Sequence, residues 1–418
     1  MEVIIDRGAA LDLHNKTIRV CALLTEGRSV EQKLATFGTT QQGRVGLREW
    51  LEQNRVTHVT MEATGEFWKP VYAELEGGFV LTVTNPQHVK NVPGRKTDTS
   101  DVVWHAELHR YGLLRPSFVP PAPIRELRDL TRSRRKSIQA QSRVENRTRK
   151  ILEGAGIKLG AVVSDLFGKT GRSILDQMAQ GRTEPSKLVQ LAKGTLKQKK
   201  PELSVALEGT FTEHHSLLLQ DQLRVHDAYT KAIHELDQRI ARQAEPWTDL
   251  IRRLDQIPGV NPTAAVEILA EVGTDMAAWK YSWRFAAWAG LCPGNHESAG
   301  KRRQVSVRKG NPFLRSILVQ CATAAVRTKG TYYRAKFQRL CARRGYKRAI
   351  VAIAHAMLIA IYFMIRDGKD YVELGETFVL QRTRTRTTHR LVEQLSKLGY
   401  TVTLTENTPT EQPSASGT

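Results

Sequence analysis

Four carboxylates in the first hundred or so residues are placed where they could share metal ions. Asp12 lies inside the apolar run "ALDLHN", where an ionised carboxylate is costly unless it is paired or binds a cation. Glu62 ends the β-type run "VTHVTME", and Asp98 and Asp101 are three residues apart in "KTDTSD", so a helix start would project both from one face. A hairpin strand, a later strand and a helix can therefore aim all four side chains at one point.

Such a set of carboxylates suits phosphodiester chemistry. Two divalent ions about 3.5–4 Å apart can activate the attacking oxygen and neutralise the leaving one. Hard carboxylate oxygens without imidazole or thiolate favour Mg²⁺ or Mn²⁺. The alternatives stay open at this point: Asp98 and Asp101 can be helix-capping residues, and Asp12 can close the turn after its strand. Asp6 is a rival to Asp12, but it precedes Arg7–Gly8 as a turn residue would.

One serine in the second half of the chain stands beside a cluster of positive charges. Ser298 is followed by Ala299–Gly300, and such small neighbours let a backbone approach closely. From Ser298 to Arg366 the chain has 16 Lys and Arg residues and no Asp or Glu. These cations can hold the phosphate that a serine attacks, although an inert loop serine is the alternative because no activating partner is evident. The residues expected to bind nucleic acid are Lys96, Lys301, Arg302, Arg303, Arg308 and Lys309.

The overall charge indicates a polyanionic partner. The 418 residues include 63 Lys and Arg against 42 Asp and Glu, a net charge of +21. A surface of this kind attracts nucleic acid and gains affinity by releasing its counterions, although a ribosomal or merely soluble basic protein has the same composition.

Cysteine usage and the apolar segments indicate a cytoplasmic, nucleoid-associated protein. The four cysteines are far apart and form no CxxC pair, which predicts reduced thiols and excludes a disulfide framework. The opening "MEVIIDRGAA" does not have the pattern of a signal peptide. The most apolar stretch, 349–365, is predicted to be a buried helix and not a membrane span.

The elements that must position the carboxylates alternate in the α/β manner over residues 1–118. Two β-type runs at 9–13 and 17–24 are joined by a polar turn and predict a hairpin. Later strands at 56–64 and 79–86 are interleaved with helices, so we expect a mixed sheet covered by helices on both faces. The helices are predicted at 43–54, 65–77 and 97–112.

Residues 119–250 are predicted to be a long helical, coiled-coil-like region. An arginine-rich helix runs from Ile124 to about Lys150, and a second helical pattern covers 217–245. The two helices can pair as an antiparallel hairpin, mediate dimerisation or belong to an ordinary bundle. The arginine-rich helix is a candidate for nucleic-acid contact, with a solvated basic helix as the alternative. Its candidate residues are Arg134, Arg135 and Lys136.

Residues 251–375 read as a compact helical domain, and 376–418 as an extension whose end is expected to be disordered. The segment "IPGVNPTAAVEILAEVG" looks like a helix-hairpin-helix, in which amides at the start of a helix face a DNA phosphate. No GxxxxGK[ST] motif is present, which excludes an ATP-binding phosphate loop of that kind. His105 and His109 are spaced to bind zinc on a helix, but they lack the HExxH order and favour a structural role.

Seven motifs, in order along the chain, resemble the insertion-sequence 110 family of DEDD transposases, which act as bridge-RNA-guided recombinases. The resemblance runs from about Ala9 to about Tyr371 and is looser in the middle helices. One departure is Asn15, where the family often has lysine. The motifs are "ALDLHN", "MEATGEFWKP", "NPQHVKNVPGRKTDTSD", "GLLRPSFVP", "IPGV", "WAGLCPGNHESAGKRR" and "RKGNPFLRSILVQCA".

The resemblance implies a fold, a site and a reaction. It implies a RuvC-like (ribonuclease H-like) N-terminal domain whose metal ligands are Asp12, Glu62, Asp98 and Asp101, and a C-terminal transposase domain whose nucleophile is Ser298. The family brings these residues together in a composite site between subunits. The implied chemistry is attack by Ser298 on a DNA phosphate, which gives a 5′-phosphoserine linkage and a free 3′-hydroxyl for rejoining.

The resemblance also implies the partners, which are donor and target DNA, a structured noncoding guide (bridge) RNA and further copies of the chain in a dimer or tetramer. Two other functions are compatible with the residues alone. One is a metal-dependent nuclease acting on branched DNA without a covalent intermediate. The other is a non-enzymatic nucleic-acid-binding protein.

Overall fold

A computed structural model describes residues 2–27, 29–86, 101–292, 297–298, 301–302, 307 and 310–405. The chain forms two compact units, Met1–Pro120 and Pro121–Thr418. For Ser298, Lys301 and Arg302 the structure describes the backbone. The expected site residues Lys96, Asp98, Arg303, Arg308 and Lys309 lie outside the described residues, as does the tail after residue 405.

The first unit is built on a five-stranded mixed sheet with the strand order β3-β2-β1-β4-β5. Strand β2 pairs in antiparallel fashion with both β1 and β3, whereas β4 pairs with β1 and β5 pairs with β4 in parallel. The predicted hairpin and mixed sheet are therefore confirmed. The strands are β1 (Arg7–Leu13), β2 (Thr17–Glu26), β3 (Ser29–Gly38), β4 (His58–Glu62) and β5 (Val80–Thr84).

Helices cover both faces of this sheet because its central strands are apolar on both sides. Leu11 and its same-face neighbours pack against Leu47 and Val71 of two helices on one face. Ala10 points to the opposite face, where it packs against Val102 of a third helix. The three helices are α1 (Gln41–Gln53), α2 (Trp68–Leu75) and α3 (Asp101–Arg110).

Strand β3 is an addition that the sequence analysis did not predict. It lies at the edge of the sheet and pairs with β2 over its whole length, from Ser29 to Gly38. Val30 and Leu34 are exposed, so the strand lacks the alternation of buried apolar residues by which strands are recognised.

His109 is an unusual buried group on α3. It is 3% exposed, and its Nε2 has no hydrogen-bond partner in the described part of the chain. Burial, helped by the nearby His58, lowers the pKa of His109 from 6.5 to about 4. The folded unit therefore favours the neutral form of the His109 imidazole.

We expect this histidine to make the first unit less stable in acid. Between pH 6.5 and about 4 the unfolded chain binds a proton at His109 that the folded unit rejects, so stability is full above pH 6.5 and falls as the pH drops. The loss by pH 4 is about 3 kcal/mol, at about 1.4 kcal/mol for each pKa unit. Urea unfolding at several pH values should show this slope, and His109→Leu should flatten it. An unchanged slope in the variant would contradict the assignment.

The second unit begins with two long antiparallel helices, α4 (Ala122–Gly154) and α9 (Glu213–Ala244). Gln243 near the end of α9 donates to Glu126 near the start of α4, and Gln141 donates to Thr230 further along. Of the arrangements considered from sequence, the antiparallel hairpin is the one that the chain forms.

A small helical body lies between the two long helices in the chain. Its apolar core includes Ile157, Ile174 and Leu203 and extends to Leu152 and Leu219 on the long helices. The region is therefore not a plain coiled coil, because this body covers one end of the hairpin. Its helices are α5 (Leu159–Val162), α6 (Lys169–Ala179), α7 (Pro185–Leu188) and α8 (Lys200–Ala206), with 3₁₀ turns at Val189–Leu191 and Gly194–Lys199.

The C-terminal helices pack around the helix that contains the most apolar stretch. That helix, Tyr346–Asp367, is long and apolar enough to cross a membrane by length and composition, and half of its most apolar window is buried within the unit. A further helix at Gly375–Lys397 was not predicted. The helices are α10 (Thr248–Asp255), α11 (Pro262–Val272), α12 (Ser282–Trp288), α13 (Pro312–Ala325), α14 (Tyr332–Arg344), α15 (Tyr346–Asp367) and α16 (Gly375–Lys397).

All four cysteines are free thiols, as predicted. Two of them, Cys21 and Cys321, are buried, and burial raises the pKa of each thiol to about 11. These two side chains are therefore protonated at neutral pH and serve as small apolar residues.

Candidate active site

Asp12 and Glu62 lie side by side at one end of the sheet. Strands β1 and β4 run in parallel with Leu11 opposite Met61, so the next residue of each strand, Asp12 and Glu62, are neighbours. Leu11 and Met61 belong to the core on the side of α1 and α2. Because side chains alternate along a strand, Asp12 and Glu62 point to the other face, which α3 covers.

Helix α3 runs antiparallel to β4 and brings Asp101 to the same end. The His109 ring is 6.4 Å from the His58 ring, and His105 Nε2 lies 2.9 Å from Glu62 Oε1. Asp101 is the first described residue of α3 and is one turn before His105, on the same side of the helix and about 6 Å further along its axis. Three of the four expected carboxylates therefore lie at this end of the sheet, and Asp98 lies outside the described residues.

Two histidines contact this group of carboxylates, and the sequence analysis missed both contacts. His14 Nε2 lies 3.0 Å from Asp12 Oδ2, and His105 holds Glu62 as described above. The side chains of Asp12 and Glu62 are about one-third exposed, so solvent and a substrate can reach them. The sequence did contain one indication that His105 is near the carboxylates. It is four residues after Asp101, and this spacing places both side chains on one side of a helix.

The histidine pair considered for zinc does not form a site. His105 contacts Glu62, whereas His109 lies against His58 and is buried. Within the described ranges, no three His, Cys, Asp or Glu side chains are grouped closely enough to hold a metal ion.

The donors at this end of the sheet are of the type that a hard divalent cation prefers, although the described side chains are not close enough together to hold one. Asp12 and Glu62 offer carboxylate oxygens from one face, and Asp101 lies at the start of the helix above them. Each histidine contact engages one oxygen of its carboxylate and fixes the orientation of that side chain. Carboxylate ligands oriented in this way suit Mg²⁺ or Mn²⁺.

Ser298 lies at the tip of a short hairpin in the second unit. Strands β6 (Glu297–Ser298) and β7 (Lys301–Arg302) are antiparallel, and Ser298 pairs directly with Lys301. A two-residue connection of Ala299 and Gly300 is the usual length for such a turn, and glycine is favoured in it. The backbone of Lys301 is therefore held opposite that of Ser298.

The ends of the segment 291–310, which we call the serine loop, are fixed to one another. A Cβ added to Gly310 would lie 2.2 Å from the nitrogen of Gly290, so only glycine fits there. The backbone nitrogen of Asn311 donates to the carbonyl of Trp288 at 3.3 Å. The serine loop therefore begins and ends at neighbouring positions in the second unit.

A buried carboxylate anchors the end of the serine loop to the long hairpin. Glu271 is 1% exposed and accepts two hydrogen bonds of 2.7 Å from Arg132 of α4. Asn311 donates to the same carboxylate at 2.6 Å, and its own side-chain oxygen caps the start of α13. Arg128 donates to the backbone carbonyls of Ala270 and Glu271. The carboxylate of Glu271 thus connects α11 with α4 and with the start of α13.

The arginines of α4 that were expected to bind nucleic acid are engaged within the unit. Arg134 pairs with Asp237 and lies 3.6 Å from Glu267, and Arg135 donates to Ser316 Oγ at 2.5 Å. These contacts were not foreseen because the partners are distant in sequence, and binding of nucleic acid by Arg134 and Arg135 stays a prediction. Lys136 is exposed.

The predicted helix-hairpin-helix segment contains helix α11 and the turn that connects it to α10, and that turn is packed inside the unit. Gly259 has a φ of +85°, and a Cβ there would lie 2.3 Å from the carbonyl of Cys321 on α13. Asn261 caps α11 through the amides of Ala264 and Ala265. The amides expected to face a phosphate are therefore largely used by the chain itself.

The chain thus combines an α/β unit that has carboxylates at one end of its sheet with a helical unit in which Ser298 ends a short strand. Residues 9–157 match a family model described as a transposase, of the DEDD type from IS110. Residues 251–338 match a second model, described as a transposase of the IS116/IS110/IS902 family.

Two transposases of known sequence are similar to this chain. A family 20 transposase of Pseudomonas aeruginosa is 27% identical over 288 residues, which are 68% of this chain and 75% of the relative. The transposase y4pF/y4sB of Sinorhizobium fredii is 37% identical over 125 residues, 29% of this chain and 32% of the relative. The chain belongs to the IS110/IS116 family of transposases.

Proposed function

We propose that this transposase cuts and rejoins DNA through a covalent bond between Ser298 and a DNA 5′-phosphate, with Asp12, Glu62, Asp98 and Asp101 holding Mg²⁺ or Mn²⁺. The observation that carries the proposal is that Asp12, Glu62 and Asp101 lie at the same end of the sheet. The five-stranded mixed sheet, with a helix over the face that bears the carboxylates, supports a RuvC-like assignment for this unit.

The proposed reaction conserves the phosphodiester bond energy. The Oγ of Ser298 attacks phosphorus, an Oγ–P bond forms, and the P–O3′ bond breaks. The serine hydroxyl gives up its proton, and the departing 3′-oxygen gains one and leaves as a hydroxyl. Asp12, Glu62, Asp98 and Asp101 would hold divalent ions, which would supply neutralisation of charge on the reacting oxygens. Rejoining is the reverse attack by a 3′-hydroxyl, so no ATP is needed.

The basic surface supports binding of DNA and of a guide RNA. Recognition of a nucleic acid by base pairing leaves the protein to read backbone and shape, and exposed cations suit that task. We propose Lys301, Arg302, Arg303, Arg308, Lys309 and Lys96 for the DNA near the reacting phosphate. On α4 we propose the exposed cations Lys136, Arg143, Arg147, Arg149 and Lys150 for RNA, in addition to the internally paired Arg134 and Arg135. A dimer or tetramer is proposed because strand exchange needs paired cuts.

Two rival functions make different predictions. A branched-DNA nuclease would use the carboxylates alone and would never form a protein–DNA adduct. A non-enzymatic binding protein would show salt-sensitive binding and no cleavage.

The deciding experiment is an adduct assay on the whole protein with RNA transcribed from the DNA that flanks its gene. The DNA should be labelled at its 3′ end, because a 5′-phosphoserine retains the fragment downstream of the cut. With Mg²⁺ we expect a slow band on a denaturing gel that protease digestion converts to a short labelled fragment. With EDTA in place of Mg²⁺ the band should be absent. Cleaved DNA without any adduct would contradict the serine mechanism, and intact DNA in every lane would favour the binding protein.

A further inference from the structure

Two large aromatic side chains at the start of α12 are exposed. Tyr281 is 44% and Trp283 60% exposed, although rings of this size are mostly buried in folded proteins. Their ring planes are 10° apart and their centroids are separated by 5.8 Å, so they form one stacked pair. The pair gains little burial from this arrangement, which leaves its surface available to another molecule.

Two cations flank this stacked pair. Lys280 lies 5.6 Å from the centre of the Tyr281 ring, and Arg284 lies 5.7 Å from Tyr281 and 5.3 Å from Trp283. From Met276 to Arg366 the chain has 18 Lys and Arg residues and one acidic residue, Glu297. The aromatic pair therefore lies in the most cationic part of the chain.

The pair lies beside the start of the chain segment that leads to Ser298. The Sγ of Cys292, in the serine loop, is 4.0 Å from the carbonyl of Trp283. The other end of α12 holds the return of the same loop through Trp288 and Asn311. Helix α12 thus connects the aromatic pair to both ends of the serine loop.

Exposed aromatic rings with neighbouring cations match the chemistry of unpaired nucleic acid. Single strands bind to proteins by stacking bases on aromatic rings while cations hold the backbone. A protein surface can also bind Tyr, Trp and Arg, but it would have to supply carboxylates to match this charge. A nucleic-acid strand supplies both stacking faces and negative charge.

We infer that Tyr281 and Trp283 form a stacking platform for an unpaired base, with Lys280 and Arg284 holding the adjoining phosphates. The inference rests on the proposed function for the nature of the substrate. Strand exchange unpairs the bases next to each cut, and a platform beside the serine loop would hold such a base while the strand is exchanged.

The test is a binding measurement that needs no catalysis. A fluorescein-labelled single-stranded oligonucleotide and a duplex of the same sequence are titrated with the whole protein in EDTA, and anisotropy is followed. We expect Trp283→Ala and Tyr281→Ala each to weaken single-strand binding about tenfold, within the range found for stacking residues. Trp283→Phe should stay within about twofold of the parent, because phenylalanine also stacks.

Matched variants separate stacking from other effects. Tyr400→Ala removes an aromatic residue that is 65% exposed and lies outside α12, so it should leave both affinities unchanged. Duplex affinity should change less than threefold in all variants. If Trp283→Ala binds the single strand as tightly as the parent does, the platform is overturned. The same holds if the variant loses as much affinity for the duplex as for the single strand. A smaller oligomeric mass by light scattering would also overturn the platform, because the pair would then bind a second copy.

The adduct assay on the same variants keeps the two proposals apart. A platform variant that binds single strands normally while the parent forms the adduct would overturn the platform alone. If the platform variants bind as expected but the parent forms no adduct, the serine mechanism is contradicted and the stacking surface is not.

Discussion

Ser298→Ala is expected to abolish the covalent adduct and to slow DNA cleavage by at least about a thousandfold. Loss of a nucleophile removes the attacking atom itself, and losses of this order or larger are found when single nucleophiles or oxyanion donors are removed from other enzymes. The fold should not change, because the backbone pairing of residue 298 with Lys301 does not depend on the serine side chain. The effect is therefore chemical.

The same loop offers a matched control. Ser306 is a second serine within the sequence of the serine loop, and Ser306→Ala removes a hydroxyl of the same kind from the same segment. Single-turnover cleavage of 3′-labelled DNA, followed on denaturing gels, should be unchanged in Ser306→Ala. If both variants lose activity equally, the loop as a whole is needed and Ser298 has no special role.

A second variant separates the serine mechanism from the carboxylate nuclease. Asp12→Asn keeps the shape of the side chain but removes its charge, so we expect neither adduct nor cleavage. The nuclease alternative expects Asp12→Asn to be inactive and Ser298→Ala to cleave normally. Normal cleavage by Ser298→Ala would therefore remove the proposed mechanism and leave the nuclease.

The strands that carry the carboxylates could be predicted because local patterns determine them. Apolar runs ended by polar turns gave β1, β2, β4 and β5, and alternation along a strand gives the faces of Asp12 and Glu62. The edge strand β3 could not be found in this way, because one side of an edge strand can be polar throughout without cost.

The contacts of the site depend on distances in space that periodicity does not encode. His105 is 43 positions after Glu62 in the chain, yet its imidazole is 2.9 Å from the carboxylate. The packing angle of α3 on the sheet decides which of its side chains meets Glu62. Sequence spacing could place Asp101 and His105 on one side of a helix, but it could not show which residues of the sheet that side contacts.

The contacts of α4 could not be predicted for a related reason. A row of arginines in a sequence looks like a surface for nucleic acid, and a solvated basic helix was the stated alternative. The structure shows a third use, in which Arg132, Arg134 and Arg135 face carboxylates of α9 and α11. Those partners are more than 100 residues away, so the sign of the local charge carries no information about them.

The largest loss of stability is expected at Glu271, on the helix that faces those arginines. Glu271→Ala should lower the stability of the second unit by about 3–5 kcal/mol, because it leaves the half-buried Arg132 guanidinium without the buried carboxylate that it pairs with. Arg132 also lies 4.4 Å over the Phe313 ring and cannot turn to solvent without giving up that contact. Asn311 would lose its acceptor at the same time.

Denaturant unfolding followed by the helical signal gives the measurement, and two variants test the cause. Asp249→Ala removes a carboxylate whose ion pair with Arg252 is exposed, and such a change should cost less than about 1 kcal/mol. Arg132→Ala combined with Glu271→Ala should cost less than the sum of the two single changes, because the double variant leaves no unmatched charge from this pair. Additive costs would show that Glu271 and Arg132 act independently.

The same variant connects the anchor to the reaction. Asn311 directly follows the serine loop and bonds to Glu271, so Glu271→Ala should free the returning end of the loop at a temperature where the unit is still folded. Adduct formation should then slow although Ser298 is intact, while binding of duplex DNA stays the same. A destabilised Glu271→Ala protein that forms the adduct at the parent rate would show that Asn311 is held by its backbone contact with Trp288 alone.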